Sequence, residues 1–486
     1  MKLSLLTQPL AKIKADLVVA VVDPKKKLFE TDDSPLGKAL VAARRGLQRE
    51  TFHREVFRSF EAGSPVKALV VFSSALSKHY DLAENVKIFA ARSLSYASDY
   101  SYSRIAFLLD HANGTEYIGC ATEGFILGDY RFDKYRKDRT KRNVSVSLVC
   151  RSADRQKAEK ALMRRRVVCD EVNRARDLVN EPGDKVYPKA LEQIARKIAS
   201  AGKLGITVVS GAALEKQGYR GLIAVGKGSI YPPCLIVLRY RPKKKSEKHL
   251  ALVGKGITFD TGGISIKPSA GMWSMKGDMA GGAAVLAAMA AIAKLKPKTA
   301  VTGIVAAAEN FPGPKAQRPG DIFIAKNGKS VMVDNTDAEG RLVLSDALAR
   351  AGEEKATHVV DAATLTGAVV SALGQAVAGI LGNDPKLVRS VIDSGARRGE
   401  TFWELPLVEE YRELLKTPYA DLNNIGGKLA GTITAALFLQ EFVPEDVAWA
   451  HLDIAGPFIL EKKWKYYPEG ATGFGVKTFV ELAESL

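Results

Sequence analysis

The stretch Asn335-Thr336-Asp337-Ala338-Glu339-Gly340-Arg341-Leu342 places two carboxylates and a guanidinium within five residues, where an apolar strand is predicted to give way to a helix. A second polar cluster, threaded through glycines, lies upstream and comprises Lys255, Asp260, Lys267 and Asp278. So many charges beside apolar segments are costly to desolvate without compensation. The two clusters together indicate a site for more than one metal ion.

The spacing within the octapeptide favours binding of the same metal ion by its two acids. Asp337 and Glu339 are two residues apart, so in an extended segment their side chains leave on the same side. Gly340 would then permit a sharp change of direction into a helix that starts near Leu342.

The upstream acids also precede segments that suit a ligand site. Asp260 precedes Thr261-Gly262-Gly263, where the backbone can approach a ligand closely. Asp278 precedes a long Ala-rich helix, so it is a candidate helix cap as well as a ligand. Four carboxylates together would repel one another, and two divalent cations roughly 3.5–4 Å apart would neutralise them and stabilise a hydrolytic transition state. A lysine joins such a site only as the free amine.

The composition is that of a soluble globular protein of two or three domains, since the chain has 486 residues. No membrane span is predicted, because the longest apolar run, Ala283 to Ala293, falls short of the roughly 20 residues required. Gln8 and Pro9 break the N-terminal segment before a signal-like apolar region forms. We therefore expect a cytoplasmic protein.

Sulfur and imidazole ligands are not favoured. No Cys-x-x-Cys pair and no His-Glu-x-x-His occurs, so any metal must be held mainly by oxygen. Gly221 to Lys227 resembles the opening of a P-loop, but Gly228 replaces the magnesium-binding Ser or Thr, which argues against nucleotide hydrolysis. Small buried apolar residues are the interpretation for Cys120, Cys150, Cys169 and Cys234.

The net charge of +17 is unevenly spread. Residues 1–250 hold 47 Lys and Arg against 27 Asp and Glu, whereas residues 251–486 hold 24 against 27. DNA binding is one interpretation of the basic half, and a solvated basic surface is the favoured one, because aromatic residues are interleaved only around Tyr130–Tyr135. The densest basic runs are Lys25 to Lys27, Arg131 to Arg142, Arg164 to Arg166 and Arg241 to Lys245.

The order of predicted elements indicates an α/β fold class. Residues 1–150 are predicted to form a smaller N-terminal α/β domain, 151–180 a long connecting helix, and 181–486 a larger C-terminal α/β catalytic domain with a central, mostly parallel mixed sheet. The Lys-rich segment Arg241–Lys248 is predicted as a hairpin loop. The strand candidates are Leu17–Val22, Ala68–Phe72, Ser103–Leu109, Asn143–Val149, Ile206–Val209, Leu235–Tyr240, Leu250–Val253, Thr302–Val305, His358–Asp361 and Val377–Leu381.

The clusters are expected to converge in space. Lys255, Asp337 and Thr364 each follow a strand-like run, and open α/β sheets bind ligands at the carboxyl ends of their strands.

The sequence resembles the leucine aminopeptidases, also called cytosol aminopeptidases, a family of dinuclear metalloaminopeptidases. The octapeptide is that family's signature. The resemblance is sharp from about Asn180 onward and looser before it. Further matching blocks are Val253 to Asp260, Gly263 to Pro268, Met275 to Met279 and Ala363 to Gly367.

The resemblance implies a metal site and an activity. Lys255, Asp260, Asp278 and Glu339 would hold the tighter of two divalent ions; Asp260, Asp337 and Glu339 would hold the more exchangeable one. Zn²⁺ or Mn²⁺ is expected, with Mg²⁺ or Co²⁺ also compatible. The enzyme would be a leucyl aminopeptidase, a hydrolase that removes leucine and other, preferentially apolar, N-terminal residues from peptides.

The same resemblance implies roles for the remaining residues. Lys267 would stabilise the developing oxyanion, and Arg341 would hold a bicarbonate ion that acts as general base. Met275, Thr364, Leu365 and Gly367 would bind the substrate, and the family assembles as a homohexamer. Two other interpretations stay open: an additional DNA-binding or regulatory role of the basic half, and a ligand-sensing role of the N-terminal domain.

Overall fold

The computed structural model describes residues 1–22, 32–49, 55–60, 64–73, 80–109, 114–139, 143–244 and 246–486. Contacts divide the chain into two compact units: Met1–Asp170 with Lys462–Pro468, and Glu171–Glu461 with Glu469–Leu486. The long helix expected between residues 151 and 180 runs over Arg155–Asn180, and the division between the units falls within it. The domain boundaries at residues 150 and 180 stay a prediction.

The N-terminal unit contains a six-stranded sheet in the order β1-β6-β5-β2-β4-β3, with all neighbours parallel except β3 and β4. The sequence predicted four of these strands and missed β1 and β3. The strands are β1 (Lys2–Leu6), β2 (Ala15–Val22), β3 (Glu55–Ser59), β4 (Val66–Ser73), β5 (Arg104–Leu109) and β6 (Ser145–Val149).

Alternate residues of β2 enter two separate cores, as expected for a sheet covered on both faces. Leu17, Val19 and Val21 belong to one core, with side chains from α2 and α3. Val18, Ala20 and Val22 belong to the other, with side chains from α1. The helices of this unit are α1 (Pro35–Arg49), α2 (Leu82–Asp99), α3 (Gly114–Gly128) and the first part of α4 (Arg155–Asn180).

The C-terminal unit is built on an eight-stranded sheet in the order β15-β14-β17-β13-β9-β10-β8-β7. Its centre, β17-β13-β9-β10, is parallel, and antiparallel pairings flank it. This arrangement confirms the predicted α/β class with a mostly parallel mixed sheet. The strands are β7 (Gly205–Ser210), β8 (Cys234–Tyr240), β9 (His249–Asp260), β10 (Ala300–Asn310), β13 (His358–Ala363), β14 (Val377–Gly382), β15 (Thr401–Glu404) and β17 (Ala448–Asp453).

Small elements complete the unit. Two minor sheets consist of β11 (Ile322–Ile324), β12 (Ser330–Met332) and β16 (Leu422–Asn423), and of β18 (Ile459–Leu460) and β19 (Gly470–Ala471). The helices are α5 (Pro188–Gly202), α6 (Ala212–Lys216), α7 (Arg220–Gly226), α8 (Ala280–Leu295), α9 (Glu339–Glu353), α10 (Gly367–Leu373), α11 (Pro385–Ala396), α12 (Gly431–Gln440) and α13 (Val476–Ser485).

Two expectations about this sheet are wrong. The segment Arg241–Lys248 is not a hairpin loop, because β10 lies between β8 and β9 in the sheet. Strand β9 extends through Lys255 to Asp260, well beyond the predicted end at Val253. Strands β15 and β17 were missed, and in β17 the buried His451 and Asp453 interrupt the apolar pattern.

The faces of β9 place its side chains. Ala251, Val253 and Ile257 share a core with α9, whereas Gly254 abuts Gly281 of α8. Lys255 therefore points to the side of α9. Among the described residues, one helical segment, Met272–Leu295, is long and apolar enough to cross a membrane, but 89% of its apolar window is buried inside the protein, and core helices pass the same test.

Asp16, at the start of β2, organises one end of the N-terminal sheet. Its carboxylate accepts hydrogen bonds from the Ser103 backbone N–H (3.1 Å), the Ser103 hydroxyl (3.0 Å) and the Arg104 backbone N–H (3.0 Å). Burial alone would raise the pKa of Asp16, but these bonds and the cations of Arg104 and Lys67 outweigh it and lower that pKa.

We predict that Asp16→Asn lowers the free energy of unfolding by roughly 1–3 kcal/mol at neutral pH, because the donors of Ser103 and Arg104 lose a buried, charged acceptor. A lowered folded-state pKa stabilises above the unfolded value and is lost as pH falls. The difference from wild type should therefore be constant at neutral pH and shrink below about pH 4. Urea unfolding with hydrogen exchange of β2 measures it. Asp154→Asn, which breaks the ion pair with the exposed Arg151, is the control; equal effects would contradict the account.

Candidate metal centre

Strand β9 carries a buried lysine into the centre of the sheet. Lys255 Nζ donates to the Thr364 backbone oxygen at 3.0 Å and lies 2.8 Å from both Asp278 Oδ2 and Glu339 Oε1. Burial alone would lower the pKa of Lys255, but Asp278, Glu339 and Asp260 outweigh it and raise that pKa. The ammonium group is therefore the counter-ion of two acids.

Asp260 ends β9 and is fixed by polar neighbours. Its Oδ1 accepts hydrogen bonds from the Gly262 backbone N–H (2.9 Å) and from Asn310 Nδ2 (2.8 Å). Asn310 ends β10 and pairs with Asp260 across the two strands. The turn after Asp260 requires glycine, since Gly262 has φ +86° and an added Cβ would lie 2.9 Å from Asp337 Oδ1.

Hydrogen bonds join the loop before α9 to the loop after β9. The Thr336 hydroxyl donates to the Gly262 backbone oxygen (2.6 Å) and accepts from the Ser265 backbone N–H (2.8 Å). Asn310 Nδ2 donates also to the Thr336 backbone oxygen (3.1 Å). These bonds bring Asp337 beside Asp260, and Lys267 Nζ bridges them at 2.5 Å from Asp337 Oδ1 and 2.9 Å from Asp260 Oδ2.

Asp278 reaches the same place from the other face of the sheet. It lies between the 3-10 helix Met272–Gly277 and α8. Its Oδ1 accepts a hydrogen bond (2.8 Å) from the hydroxyl of Thr364, the residue directly after β13. The expectation that Asp278 caps α8 is wrong: the cap position is Met279, and the Asp278 carboxylate faces Lys255 and Thr364 instead.

The octapeptide has a different local structure from the one expected. Asp337 lies in a turn, and α9 begins at Glu339, three residues before the predicted start at Leu342. Asp337 and Glu339 therefore do not share an extended segment. Gly340 lies within the helix, where an added Cβ would come within 2.7 Å of Lys255 Nζ. The glycine makes room for the lysine instead of turning the chain.

Three acids of this cluster could bind one ion together. One ligand atom from each of Asp260, Asp337 and Glu339 lies within 4.8 Å of the others. Burial, then repulsion from Asp260, raises the pKa of Glu339 to about 8. Burial likewise raises the pKa of Asp278 to about 6 and that of Asp337 above its usual value.

This chemistry fits divalent cations. Glu339 Oε2 is buried and accepts no hydrogen bond from the described residues. Buried acids that repel one another, with an oxygen left unsatisfied, gain most from a cation. Carboxylate oxygens are ligands for Mg²⁺, Mn²⁺ and Zn²⁺.

Arg341, in the first turn of α9, is a second buried cation near these acids. Its Nη1 donates to the Asn424 backbone oxygen at 2.7 Å, while its Nε is buried and has no hydrogen-bond partner among the described residues. Burial lowers the pKa of Arg341 to about 10 against the opposing effects of Glu339 and Asp453. A buried N–H donor that lacks an acceptor is costly, so a small anion bound beside the Arg341 Nε would stabilise it.

The expected substrate-binding residues lie around β13 and the 3-10 helix. Thr364 is buried between Lys255 and Asp278, and Leu365 and Met275 are half-buried. Gly367 is exposed, begins α10 and has open space where a Cβ would stand. The Met275 backbone oxygen accepts a hydrogen bond from the Asp278 backbone N–H at 3.2 Å.

Three residues that hold this cluster were missed in the sequence. Asn310 orients Asp260, and Asn424 holds Arg341. Asp453, which ends β17, accepts hydrogen bonds from the Leu365 N–H (3.1 Å) and the Thr366 hydroxyl (2.6 Å). A polar residue that ends an apolar strand was the available signal for Asn310 and Asp453, as it was for Asp260.

The basic runs are only partly described. Lys25 to Lys27, Lys245 and the end of Arg131 to Arg142 lie outside the described residues. Arg165 is mostly buried and pairs with Glu123 at 3.4 Å, so the described part of the Arg164 to Arg166 run is not wholly a free basic surface.

Comparisons with known proteins agree on one family. Residues 173–480 match the family described as "Cytosol aminopeptidase family, catalytic domain". A probable cytosol aminopeptidase of Solibacter usitatus is 41% identical over 486 residues, 99% of each chain. A mutant of tomato leucine aminopeptidase has a TM-score of 0.86 at 30% identity, over 100% of this chain and 97% of that chain. The bottromycin maturation enzyme BotP in complex with Mn has a TM-score of 0.84 at 32% identity, over 97% and 99%.

We predict that Gly340→Ala weakens Mn²⁺ binding about 10–100-fold, the usual effect of disturbing a group that positions a metal ligand. The added methyl group must displace the Lys255 amine from Thr364, Asp278 and Glu339. Isothermal titration calorimetry measures the affinity. Gly46→Ala is the control, because nothing lies within 4 Å of its added Cβ. Equal Mn²⁺ affinities for the two variants would sink this interpretation of Gly340.

Proposed function

Because the chain belongs to the cytosol aminopeptidase family and is therefore a peptidase hydrolase, we propose that it removes N-terminal residues from peptides with two divalent cations. The observation that carries this proposal is the gathering of Asp260, Asp337 and Glu339, with ligand atoms within 4.8 Å of one another. These are the residues that would hold the more exchangeable ion.

The tighter ion would be held by Asp260, Asp278, Glu339 and Lys255, whose ammonium group would lose its proton to solvent and bind as the free amine once the cation neutralises the acids. Support comes from the distances of 2.8 Å that already join Lys255 to Asp278 and Glu339. When bound, two such cations polarise a peptide carbonyl and make a water acidic enough to ionise near neutral pH. The protein's part is to hold the acids in place with Asn310, Thr364 and the glycine turn.

Lys267 would act on the oxygen of the peptide carbonyl. Its side chain is 21% exposed and lies between Asp260 and Asp337. Burial alone would lower the pKa of Lys267, but the surrounding acids outweigh it and raise that pKa, so its amine stays charged. A fixed ammonium group stabilises negative charge as it develops on the carbonyl oxygen.

Arg341 would hold a bicarbonate ion, which supplies a general base for the water. Support comes from the buried Nε, which has no hydrogen-bond partner within the part of the chain that the structure describes, and from the planar guanidinium, which matches a planar anion with two parallel hydrogen bonds. The Asn424 backbone oxygen keeps Nη1 in place while the ion binds.

The substrate would enter beside β13. The Leu365 carbonyl would receive the free α-amino group, and because only a free amine can also ligate one of the two ions, attack would be confined to N-terminal residues. Met275, Thr364 and Gly367 would line the side-chain pocket, and the apolar thioether of Met275 with open space at Gly367 supports a preference for leucine and other apolar residues.

Further features of the family are proposed on the same ground. Zn²⁺ or Mn²⁺ would be the ions, with Mg²⁺ and Co²⁺ also accepted; BotP was solved with Mn. The names of the relatives support a cytoplasmic location. A homohexamer is the assembly that the family resemblance implies, and several large apolar side chains exposed in the C-terminal unit are available for subunit contacts: Ile230, Trp273, Trp403, Tyr419 and Leu429. No observation favours the DNA-binding alternative.

We predict that Glu339→Ala abolishes hydrolysis of leucine amide, a fall of at least about 10³-fold, because a ligand shared by both ions is lost. Steady-state turnover measures it, with circular dichroism as a check on folding. Glu353→Ala, at the half-exposed end of the same helix, should retain near-normal turnover. Wild-type-like turnover in Glu339→Ala would overturn the assignment.

Lys267→Ala should lower kcat about 10²–10³-fold, the typical loss for one oxyanion-stabilising donor. The metal content per chain should stay near that of wild type, since Lys267 would not be a ligand. Turnover and elemental analysis of the same preparation test this. If metal and activity fall in proportion, Lys267 is structural.

A further inference from the structure

Asn424 is a fully buried amide that the sequence did not mark. It follows β16, whose pairing with β12 places it opposite the start of the loop that leads to Asp337. Its Oδ1 accepts hydrogen bonds from the backbone N–H groups of Asp334 (2.8 Å) and Asn335 (3.2 Å). Its Nδ2 donates to the Asn335 backbone oxygen at 2.7 Å.

These three bonds matter because the loop has no regular structure of its own. Backbone groups of a partly buried, irregular segment need partners where water does not reach them, and the Asn424 side chain supplies three such bonds just before Thr336 and Asp337. Glu339, by contrast, is held by the helix α9. The Asp337 side chain is 32% exposed, against 1% for Glu339, so its place depends more on the loop.

The same residue reaches the Arg341 guanidinium. The Asn424 backbone oxygen accepts a hydrogen bond from Arg341 Nη1 at 2.7 Å, and the Asn424 backbone N–H donates to Met332 at 3.0 Å. One residue thus joins the loop of Asp337, the strand β12 and the cation of α9.

We propose that Asn424 is a positioning residue that holds Asp337 and Arg341 in one frame. Its side chain hydrogen-bonds to the backbone of Asp334 and Asn335 and is not one of the proposed metal ligands. Loss of the Asn424 side chain should make the position of Asp337 less well defined. Other residues hold Asp260, Asp278, Glu339 and Lys255, so these four should keep their positions. This inference rests on the proposed function, and metal binding in the absence of substrate tests it separately.

The experiment compares Asn424→Ala with Asn423→Ala. Asn423 is the preceding residue of the same type; among the described residues its side-chain amide donates one hydrogen bond, to the Asp334 carboxylate at 3.3 Å, and none to the loop backbone. Calorimetric titration with Mn²⁺ alone should show two sites in wild type and in Asn423→Ala. Asn424→Ala should lose at least about 10-fold in affinity at the weaker site and less than about 3-fold at the tighter one.

A second variant keeps the test decisive if Asn424→Ala folds poorly. Asn424→Asp retains the oxygen that accepts from Asp334 and Asn335 but loses the donor to the Asn335 oxygen. It should recover part of the weaker-site affinity. With leucine amide as the substrate, kcat of Asn424→Ala and of Asn424→Asp should fall at least about 10-fold, and this fall should exceed the rise in KM.

The outcomes separate cleanly. Equal weakening of both sites, in step with a lower unfolding midpoint, means that Asn424 is merely structural, and an effect equal to that of Asn423→Ala refutes the inference. If wild type binds two Mn²⁺ ions but does not hydrolyse leucine amide, the proposed function fails while the site-selective loss still supports the positioning role. A wild type with fewer than two Mn²⁺ sites overturns both.

Discussion

Four carboxylates gathered at one edge of a sheet repel one another, and their burial strengthens that repulsion. The rest of the C-terminal unit is arranged around this constraint. Lys255 and Lys267 lie between the acids as counter-ions, and the pKa of Glu339 is raised to about 8 even so. A site that holds acids together against such repulsion is prepared to bind cations, because each divalent ion turns the repulsion into attraction.

The scaffold resists the repulsion through the ends of its parallel strands. Asp260 ends β9 and pairs with Asn310, which ends the neighbouring β10, while Asp453 ends β17 and holds the segment after β13 through Leu365 and Thr366. The amide of Asn310 holds Asp260 and the Thr336 backbone together. Carboxylates are thus held by hydrogen bonds from neutral amides as well as by ion pairs with lysines. The same hydrogen bonds fix the positions of the loops between strands and helices.

The acids could be predicted from the sequence, but their supports could not. The octapeptide and the glycine-flanked Asp260 carry a local pattern that is visible in the chain. Asn424, by contrast, lies 89 residues from Asn335 and becomes meaningful only when β16 pairs with β12. Strand β17 was missed because His451 and Asp453 interrupt its apolar residues, although both are buried. The start of α9 at Glu339 depended on a turn at Asp337 that spacing alone did not indicate.

The central claim is that these acids bind two divalent cations together. Anomalous diffraction from crystals grown with Mn²⁺ tests it most directly. We expect two anomalous peaks roughly 3.5–4 Å apart, both in contact with Asp260 and Glu339, one also with Asp278 and the other with Asp337. A single peak, or peaks that lie away from these four acids, would contradict it.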